Sequence, residues 1–322
     1  MLNDDIVSGK DLSERILQRL TEQIKYQVEE NFERQPQLVV VTIGDDQASK
    51  VYVRNKEKAC EKIGAKFNHI TFSADDTFTC IMNRIIKLTN DDSVDGIIIQ
   101  LPIVSNVLTD FDKQTICSSV PDRLDVDGFG IKSKLAVYEG CKDNDAFYPC
   151  TPAGILEILK EIKSRFMLTN EDFTFEGCNA LVIGRSDIVG KPIANMLMAE
   201  NMTVTIAHSK TPKMVLDSLL KTSDVIVSAV GKRLDISNVE RTITALAIVD
   251  VGMNRDENNK LCGDLPEDWK RRNSFYCTPV PGGVGPMTVC MLMSNLVKSY
   301  MSSLNIKQDL KEYIKAEYGV SI

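Results

Sequence analysis

Four side chains in the first half of the chain have types and spacing that could move a proton beside a bound small molecule: Tyr52, Lys56, Gln100 and Asp125. Tyr52 and Lys56 stand four residues apart in SKVYVRNKEKACEKIG (49–64), so on a helix they share a face. Taken alone, the pair also describes a solvated amphipathic face. Gln100 ends the apolar run DGIIIQL (95–101) and is followed by Leu101 and Pro102. A polar side chain at the carboxyl end of a buried parallel strand faces the crevice where such sheets bind ligands, although it could equally serve to tie down a loop. Asp125 and Asp127 lie in LDVDGFG (124–130), where Asp and Gly are also ordinary turn formers. A lysine in a partly desolvated cleft can have its pKa lowered into the working range of a general base, and proton transfer is the chemistry this set would support.

A second constellation sits in NALVIGRSDIVGKPIANML (179–197). A β-branched run ends at Gly184, a polar turn follows, and a helix begins near Val189 and Gly190. The glycines are spaced G-x5-G rather than GxGxxG. The physical requirement is still met, because a tight turn delivers backbone N–H groups at a helix N-terminus to a pyrophosphate, and Pro192 in the first helical turn costs no hydrogen bond. In NAD-binding folds a carboxylate about 20 residues past the glycines receives the ribose hydroxyls. Here TVTIAHSKT (203–211) ends in His208, Ser209 and Lys210 with no acid, and Arg185 directly follows the first glycine. Cations and hydroxyls in place of a carboxylate suit a 2′-phosphate, hence NADP over NAD; the competing reading is a plain crossover with solvated Arg and Lys. Gly231 and Gly252 end two further apolar runs, as ligand-facing or simple turn glycines. The loop CTPVPGGVGPMT (277–288) is stiffened by proline and stripped of side chains at Gly282 and Gly283, which lets backbone approach a flat ligand, or makes a rigid linker.

The elements that must position these residues alternate. Helical periodicity covers 9–30, 49–63, 77–90 and 107–118, and short β-branched runs cover 38–43, 66–72 and 95–101, with Gly64 placed to end a helix. The stretch 121–149 reads as irregular loop and linker. A helix opens at Thr151–Pro152 and runs to about 162. Strands follow at 180–184, 203–207, 224–230 and 245–251, with helices starting near Val189, Pro212 and Ser237. A last long helix spans 286–302, and a charged helical tail covers 306–318. Strand and helix in alternation imply parallel sheets. The expected fold is α/β: two α/β domains around a cleft, the second a Rossmann-like dinucleotide-binding domain, with boundaries 1–150 plus 286–322 and 151–285.

Composition narrows the function classes. A net charge of −7 with well-mixed signs gives no electrostatic reason to expect nucleic acid. Nine scattered cysteines, odd in number and without a CxxC pair, argue for a reducing compartment over a disulfide framework. With two histidines, His69 and His208, far apart, no metal site is expected. Residues 1–9 lack the apolar core of a secretory signal, and no run approaches the roughly 20 apolar residues of a membrane span, so a cytoplasmic chain is expected.

Taken together the chain resembles the bifunctional methylenetetrahydrofolate dehydrogenase/cyclohydrolase family. The resemblance is carried by SKVYVRNKEKACEKIG, DGIIIQLP, DVDGF, PCTPAGILEIL, VIGRSDIVGKP, HSKT, VDVG, GDL and TPVPGGVGPMT, in that order over nearly the whole length. It implies oxidation of 5,10-methylenetetrahydrofolate with NADP, then hydrolysis to 10-formyltetrahydrofolate, in one-carbon metabolism that serves purine biosynthesis. It implies Lys56 as the proton-shuttling residue, Tyr52 stacking on the folate, and Gln100, beside Leu101, positioning Lys56. Asp125 would bind the pterin edge, and the backbone of Pro281, Gly282 and Gly283 would lie by folate and nicotinamide. Gly184, Arg185, Ser186, His208, Ser209, Gly231, Gly252 and Thr288 would hold NADP, with Arg185 and Ser209 near its 2′-phosphate. A homodimer through the cofactor domains is implied as well. The sequence departs from the family pattern at Pro121–Gly128, which carries one extra residue and Leu124 where lysine is usual. The loop 130–134 is short and lacks an expected Asn, 142–145 is an acidic insertion, and 164–177 is a long connector. Two other readings remain from residues alone: an NAD-dependent dehydrogenase without the hydrolytic step, and a non-catalytic dinucleotide-sensing module on the same fold.

Overall fold

The apolar runs of the first half form three strands, β1 (Gln37–Ile43), β2 (Lys66–Phe72) and β3 (Gly96–Ile99), and their periodic neighbours form α1 (Gly9–Lys25), α2 (Gln47–Ile63), α3 (Phe78–Thr89) and α4 (Asp110–Ser118). The structure is a computed structural model that describes residues 5–31, 33–140, 146–236, 239 and 244–318, with backbone alone for residue 48 and for 306–318. The chain divides into two compact units, residues 16–131 with 292–322, and residues 1–15 with 132–291.

In the first of these units the strand order is β2-β1-β3, all parallel. Central β1 is buried on both faces, which is why it reads as an unbroken β-branched run and not an alternating one. Val39, Val41 and Ile43 meet Ile81 and Ile85 of α3 and Ile116 of α4 in one core cluster. Helix ends follow local chemistry: the Asp46 carboxylate accepts from the Ser49 N–H at 2.7 Å, and Gly64 closes α2 at φ 79°. Thr109 and Asp112 form a reciprocal capping box on α4. After α1 the chain makes one π-helical turn, Tyr26–Glu30, so the single helix expected over 9–30 changes hydrogen-bond register near its end.

The stretch 121–149, expected to be irregular, contains the helix α5 (Ile131–Glu139). Its buried side, Ser133, Ala136 and Val137, is small, while Ile131, Leu135 and Tyr138 are exposed, so its hydrophobic periodicity points the wrong way for recognition. Then come α6 (Cys150–Met167), β4 (Asn179–Ile183), α7 (Gly190–Ala199), β5 (Thr203–Ala207), α8 (Lys213–Thr222), β6 (Val225–Ser228) and β7 (Ala245–Asp250). A short antiparallel ladder of β8 (Asn254–Arg255) and β9 (Leu261–Cys262) leads to α9 (Glu267–Asn273) and β10 (Ser274–Cys277). The second unit's sheet is wholly parallel, in the order β10-β7-β6-β4-β5. Strand order reverses at β4, which lies between β5 and β6; that is the switch point where such sheets bind ligands. One helix, α10 (Val284–Tyr318), replaces the two expected after residue 286. Cys141, the acidic insertion 142–145 and the start of the helix expected near Ser237 lie outside the described residues, as do residues 1–4.

One buried ion pair closes the amino-terminal edge of the first sheet. Asp95, 1% exposed, takes two bonds from the Arg34 guanidinium, at 2.6 and 2.7 Å, and one from the Gln37 N–H at 2.9 Å. Hydrogen bonding to Asp95 raises the Arg34 pKa further, against the opposing effect of burial. Asp95→Ala would leave the guanidinium only its bonds to the Gln35 and Asp92 carbonyls and orphan the Gln37 N–H, so a loss of about 2 kcal/mol is expected, read as a lower urea midpoint at unchanged slope. An unchanged midpoint would show that water solvates Arg34 freely.

Candidate active site

In the first unit, the helix carrying Tyr52 and Lys56 is fixed at its N-terminus to the strand end that carries Gln100. The Ser49 hydroxyl donates to the Leu101 carbonyl at 3.2 Å, one turn before Tyr52. Lys56 Nζ donates to Gln100 Oε1 at 2.8 Å, and Gln100 Nε2 donates to the Leu101 carbonyl at 2.9 Å. The Gln100 backbone N–H is itself bonded to the Val41 carbonyl of β1 at 2.8 Å. The lysine amine is thus aimed by a side chain whose own orientation is set by its neighbour's carbonyl. Tyr52 stays 42% exposed and Leu101 51%, which leaves both surfaces open to a ligand. A cavity of about 460 Å³ borders this point, lined by Gly44, Ser49, Lys50, His69 and Gln100 among others.

Asp125 lies in a tight turn whose N–H groups return to the Pro121 carbonyl. Leu124, where lysine was expected, is 1% exposed and belongs to the β1–α3 core cluster, and its carbonyl accepts from Ile97 of β3 at 2.9 Å. The leucine that stands in place of the usual lysine is therefore a core anchor beside β3. The Asp125 carboxylate accepts from the Gly130 N–H at 2.5 Å and is 7% exposed. Burial pushes its pKa up to about 6, helped by the like charges of Asp127 and Asp122 and opposed by the Gly130 and Phe129 amides.

In the second unit, β4 ends at Gly184, whose φ of +130° and close approach to the Ala229 carbonyl exclude a side chain. A Cβ at Gly190 would overlap the Gly184 carbonyl and the Arg185 amide, so the turn closes on itself only with glycine at both ends. The Ser186 hydroxyl accepts from the Val189 and Gly190 N–H groups at 3.2 Å, capping α7 while keeping its own proton to donate. Ile183 of β4 is in register with Ala207 of β5, so Arg185 and Ser209 each follow by two residues on adjacent strand ends. Both are exposed. His208 is held by its N–H donating to Thr211 Oγ1 at 2.9 Å, and its Nδ1 accepts from the Lys210 N–H.

The remaining expected positions of this unit have visible partners. The Gly231 N–H approaches Asp264 Oδ2 at 3.3 Å, and the Gly252 N–H donates to Asp250 Oδ1 at 3.0 Å. Thr288 Oγ1 is 3.0 Å from Thr151 Oγ1. The Gly282 carbonyl accepts from the Lys10 N–H at 2.9 Å, and Gly283 is buried while Pro281 is exposed. Sequence reasoning missed the polar groups beneath these turns, Asp250, Asp264 and Lys270. VDVG and GDL contain the two aspartates, but nothing in one sequence says that they face each other. Lys270, inside EDWKRR, reads as one of several solvated charges. Among the described residues no cluster could hold a metal ion, and no helix is long and apolar enough to cross a membrane.

A parallel sheet switching at a side-chain-free glycine turn makes the second unit a Rossmann-like dinucleotide-binding domain. The chain belongs to the tetrahydrofolate dehydrogenase/cyclohydrolase family: its catalytic-domain model matches residues 7–127 and its NAD(P)-binding-domain model residues 149–304. The bifunctional protein FolD of Listeria innocua is 38% identical over 295 residues, covering 92% of this chain and 96% of that one. The bifunctional FolD structure from Campylobacter jejuni is 35% identical with a TM-score of 0.80, covering 92% of this chain and 98% of its own. That of Trypanosoma brucei, in complex with NADP and an inhibitor, is 28% identical with a TM-score of 0.80, covering 93% and 98%.

The raised Asp125 pKa has a sign. Its folded value of about 6 lies above the ordinary carboxylate value of about 3.9, so between these pH values the native state holds more proton than the unfolded chain, and stability falls as pH rises through that window. Above pH 6 the cost levels off at roughly 3 kcal/mol. Asp125→Asn should therefore be more stable than the parent at pH 7, with the gap closing toward pH 4. Equal urea midpoints at pH 7 would mean that the carboxylate is better solvated than its burial suggests.

Proposed function

We propose that this chain is a bifunctional one-carbon folate enzyme, oxidising 5,10-methylenetetrahydrofolate to 5,10-methenyltetrahydrofolate with NADP and hydrolysing the product to 10-formyltetrahydrofolate. The observation that carries this reading is the hydrogen bond from Lys56 to Gln100, which holds one mobile amine at a strand end beside open surface. We assign folate to residues 1–150 with 286–322, and NADP to 151–285.

The residues present fit a dinucleotide. Neither Gly184 nor Gly190 has room for a Cβ, which would meet the Ala229 carbonyl or the Gly184 carbonyl, so the turn between them is bare of side chains at both ends, and the paired ends of β4 and β5 bear Arg185 and Ser209 with no carboxylate. Arg185 supplies a charged fork and Ser209 a hydroxyl for a 2′-phosphate. The Ser186 hydroxyl and the Gly184 turn serve the pyrophosphate, His208, Gly231, Gly252 and Thr288 line the remaining cofactor surface, and the backbone of Pro281, Gly282 and Gly283 faces the nicotinamide and folate. When bound, NADP supplies the hydride acceptor for the methylene carbon, and the protein's part in that step is alignment.

In the hydrolytic step, water adds to the methenyl carbon and gives up both its protons as its oxygen becomes the formyl oxygen; the ring nitrogen that leaves gains one proton and the other is released. Lys56 carries out this transfer, with Gln100 keeping its amine directed and Tyr52 stacking on the substrate to hold the carbon within reach. Leu101 lies against the folate, and Asp125 binds the pterin edge, where a carboxyl with a raised pKa can offer either a proton or a lone pair. The product is a formyl donor of the kind purine biosynthesis consumes, and we place the enzyme in the cytoplasm; cells lacking the chain should then grow better with added purine. The exposed edge strand β5, with Ile206 41% exposed, is the natural surface for a homodimer through the cofactor domains.

Mixing the protein with 5,10-methylenetetrahydrofolate and NADP or NAD in parallel cuvettes should raise absorbance of the reduced nucleotide with NADP. Reduction mainly with NAD would overturn the 2′-phosphate assignment, and silence with both would favour a sensing module. Lys56→Met should lower the cyclohydrolase rate by about 100-fold or more while NADP still binds; a fully active variant would refute the role of Lys56. Ile206→Lys should shift the sedimenting species from dimer to monomer, and an unchanged dimer would place the interface elsewhere.

A further inference from the structure

Lys270 is fully buried, although its neighbours Asp268, Arg271 and Arg272 on the short helix α9 are exposed. A lysine reaches such a position only when paired. Its ammonium donates to the Thr278 carbonyl at 2.8 Å and forms ion pairs with Glu267 Oε2 at 2.8 Å and Asp250 Oδ2 at 3.5 Å. An apolar side chain would join a short helix to a sheet at least as well, since buried ion pairs seldom stabilise more than hydrocarbon of the same shape. The position of the ammonium therefore asks for another reason.

That reason lies in what Asp250 and Thr278 hold. The Asp250 carboxylate accepts from the Gly252, Asp264 and Leu265 N–H groups, each at 3.0 Å. The Asp264 carboxylate in turn accepts from the Val230 N–H at 2.7 Å, the Gly231 N–H at 3.3 Å, the Ser228 hydroxyl at 3.0 Å and Asn254 Nδ2 at 2.9 Å. The Thr278 hydroxyl accepts from the Asp250 N–H at 2.9 Å, and its carbonyl, the one Lys270 grips, begins the loop that leads to Pro281, Gly282 and Gly283. Asp250, Asp264, Lys270 and Thr278 are at most 1% exposed, so water does not weaken these bonds. One buried cation thus stands at the root of a network that ends on three strand-end turns.

We propose that Lys270 is a positioning residue for nucleotide recognition: by holding Asp250 and the Thr278 carbonyl together it sets the turns at Gly231 and Gly252 and the start of the 278–283 loop in mutual register. The inference rests on the reading of this unit as the NADP site. It concerns a residue that need not touch the nucleotide, and it predicts a defect in binding more than in turnover.

The test is Lys270→Met in the full-length enzyme, which keeps the length of the side chain and removes the charge. Adjacent Trp269, the single tryptophan, is buried with its Nε1 donating to the Val239 carbonyl at 2.7 Å, so its emission reports whether this region stays folded. The expected result is a Kd for NADP raised about tenfold, with kcat at saturating NADP within about twofold of the parent and Trp269 emission unchanged. A folded variant with the parent's Kd would overturn the proposal. If Trp269 emission shifts to that of an exposed indole, Lys270→Gln, which removes the charge and keeps a donor for the Thr278 carbonyl, decides. Weakened NADP binding in a folded Lys270→Gln variant supports the proposal; normal binding, or collapse of that variant too, overturns it by showing that Lys270 serves stability alone. Parent protein that fails to bind NADP would instead remove the cofactor reading, and this inference with it.

Discussion

A parallel sheet sends all its strands out of the same edge, and the peptide groups just beyond that edge have no ladder partner. Buried backbone groups must nevertheless be bonded. Both parallel sheets face that constraint, and both meet it with residues at or beside the positions proposed to bear the chemistry. In the first unit the Gln100 N–H is bonded to β1, while its side chain spans from the Leu101 carbonyl to Lys56. In the second, two aspartate carboxylates collect the amides that β6 and β7 leave unpaired. Satisfying the strand ends and aiming the functional groups are one arrangement, not two.

The buried aspartates show how neighbours divide the labour. Asp250 is surrounded by three amides and an ammonium; burial raises its pKa, and Lys270 and the amides offset that rise only in part. Such an anion is suited to holding backbone in place. Asp125 has amide partners too, but the charges that act on its pKa include the like charges of Asp127 and Asp122. Pushed up to about 6, it is suited to exchanging a proton or hydrogen-bonding a ligand that offers one. Desolvation is common to the two sites, and the sign of the nearest charge separates a structural carboxylate from a responsive one.

How much of this was legible in the sequence follows from where the signal resides. Strands β2 and β5, the glycine at the end of α2 and the Gly184 turn are encoded locally, by β-branched runs and by residues whose backbone needs are specific, and they fall where expected. Lys56 and Gln100 could be singled out from their positions on a helix face and at a strand end, and the structure joins them by one hydrogen bond. Helix α5 was not legible because its buried face is small and its larger apolar residues are exposed. Helix α9 and strand β10 are short, and their polar run hides a lysine whose burial depends on partners at positions 250 and 278. Pairings distant in sequence decide these cases, and single-residue chemistry does not announce them.

Charge sets a last condition on how this chain can recognise its cofactor. With a net charge of −7, its long-range field repels a phosphorylated dinucleotide. Screening confines that repulsion to about 8 Å at physiological ionic strength, so recognition must be won by donors within contact range. The ends of β4 and β5 provide them: Arg185 and Ser209 occupy equivalent positions two residues beyond a register pair, and Lys210 follows directly. A single carboxylate at that strand end would reverse the preference, since it would face a 2′-phosphate without a donor and a ribose hydroxyl with an acceptor. With Arg185 and Ser209 receiving the 2′-phosphate as proposed, cofactor choice becomes a property of two adjacent strand ends, held in register by the backbone ladder between them, and the negative charge of the chain makes their local positive character necessary.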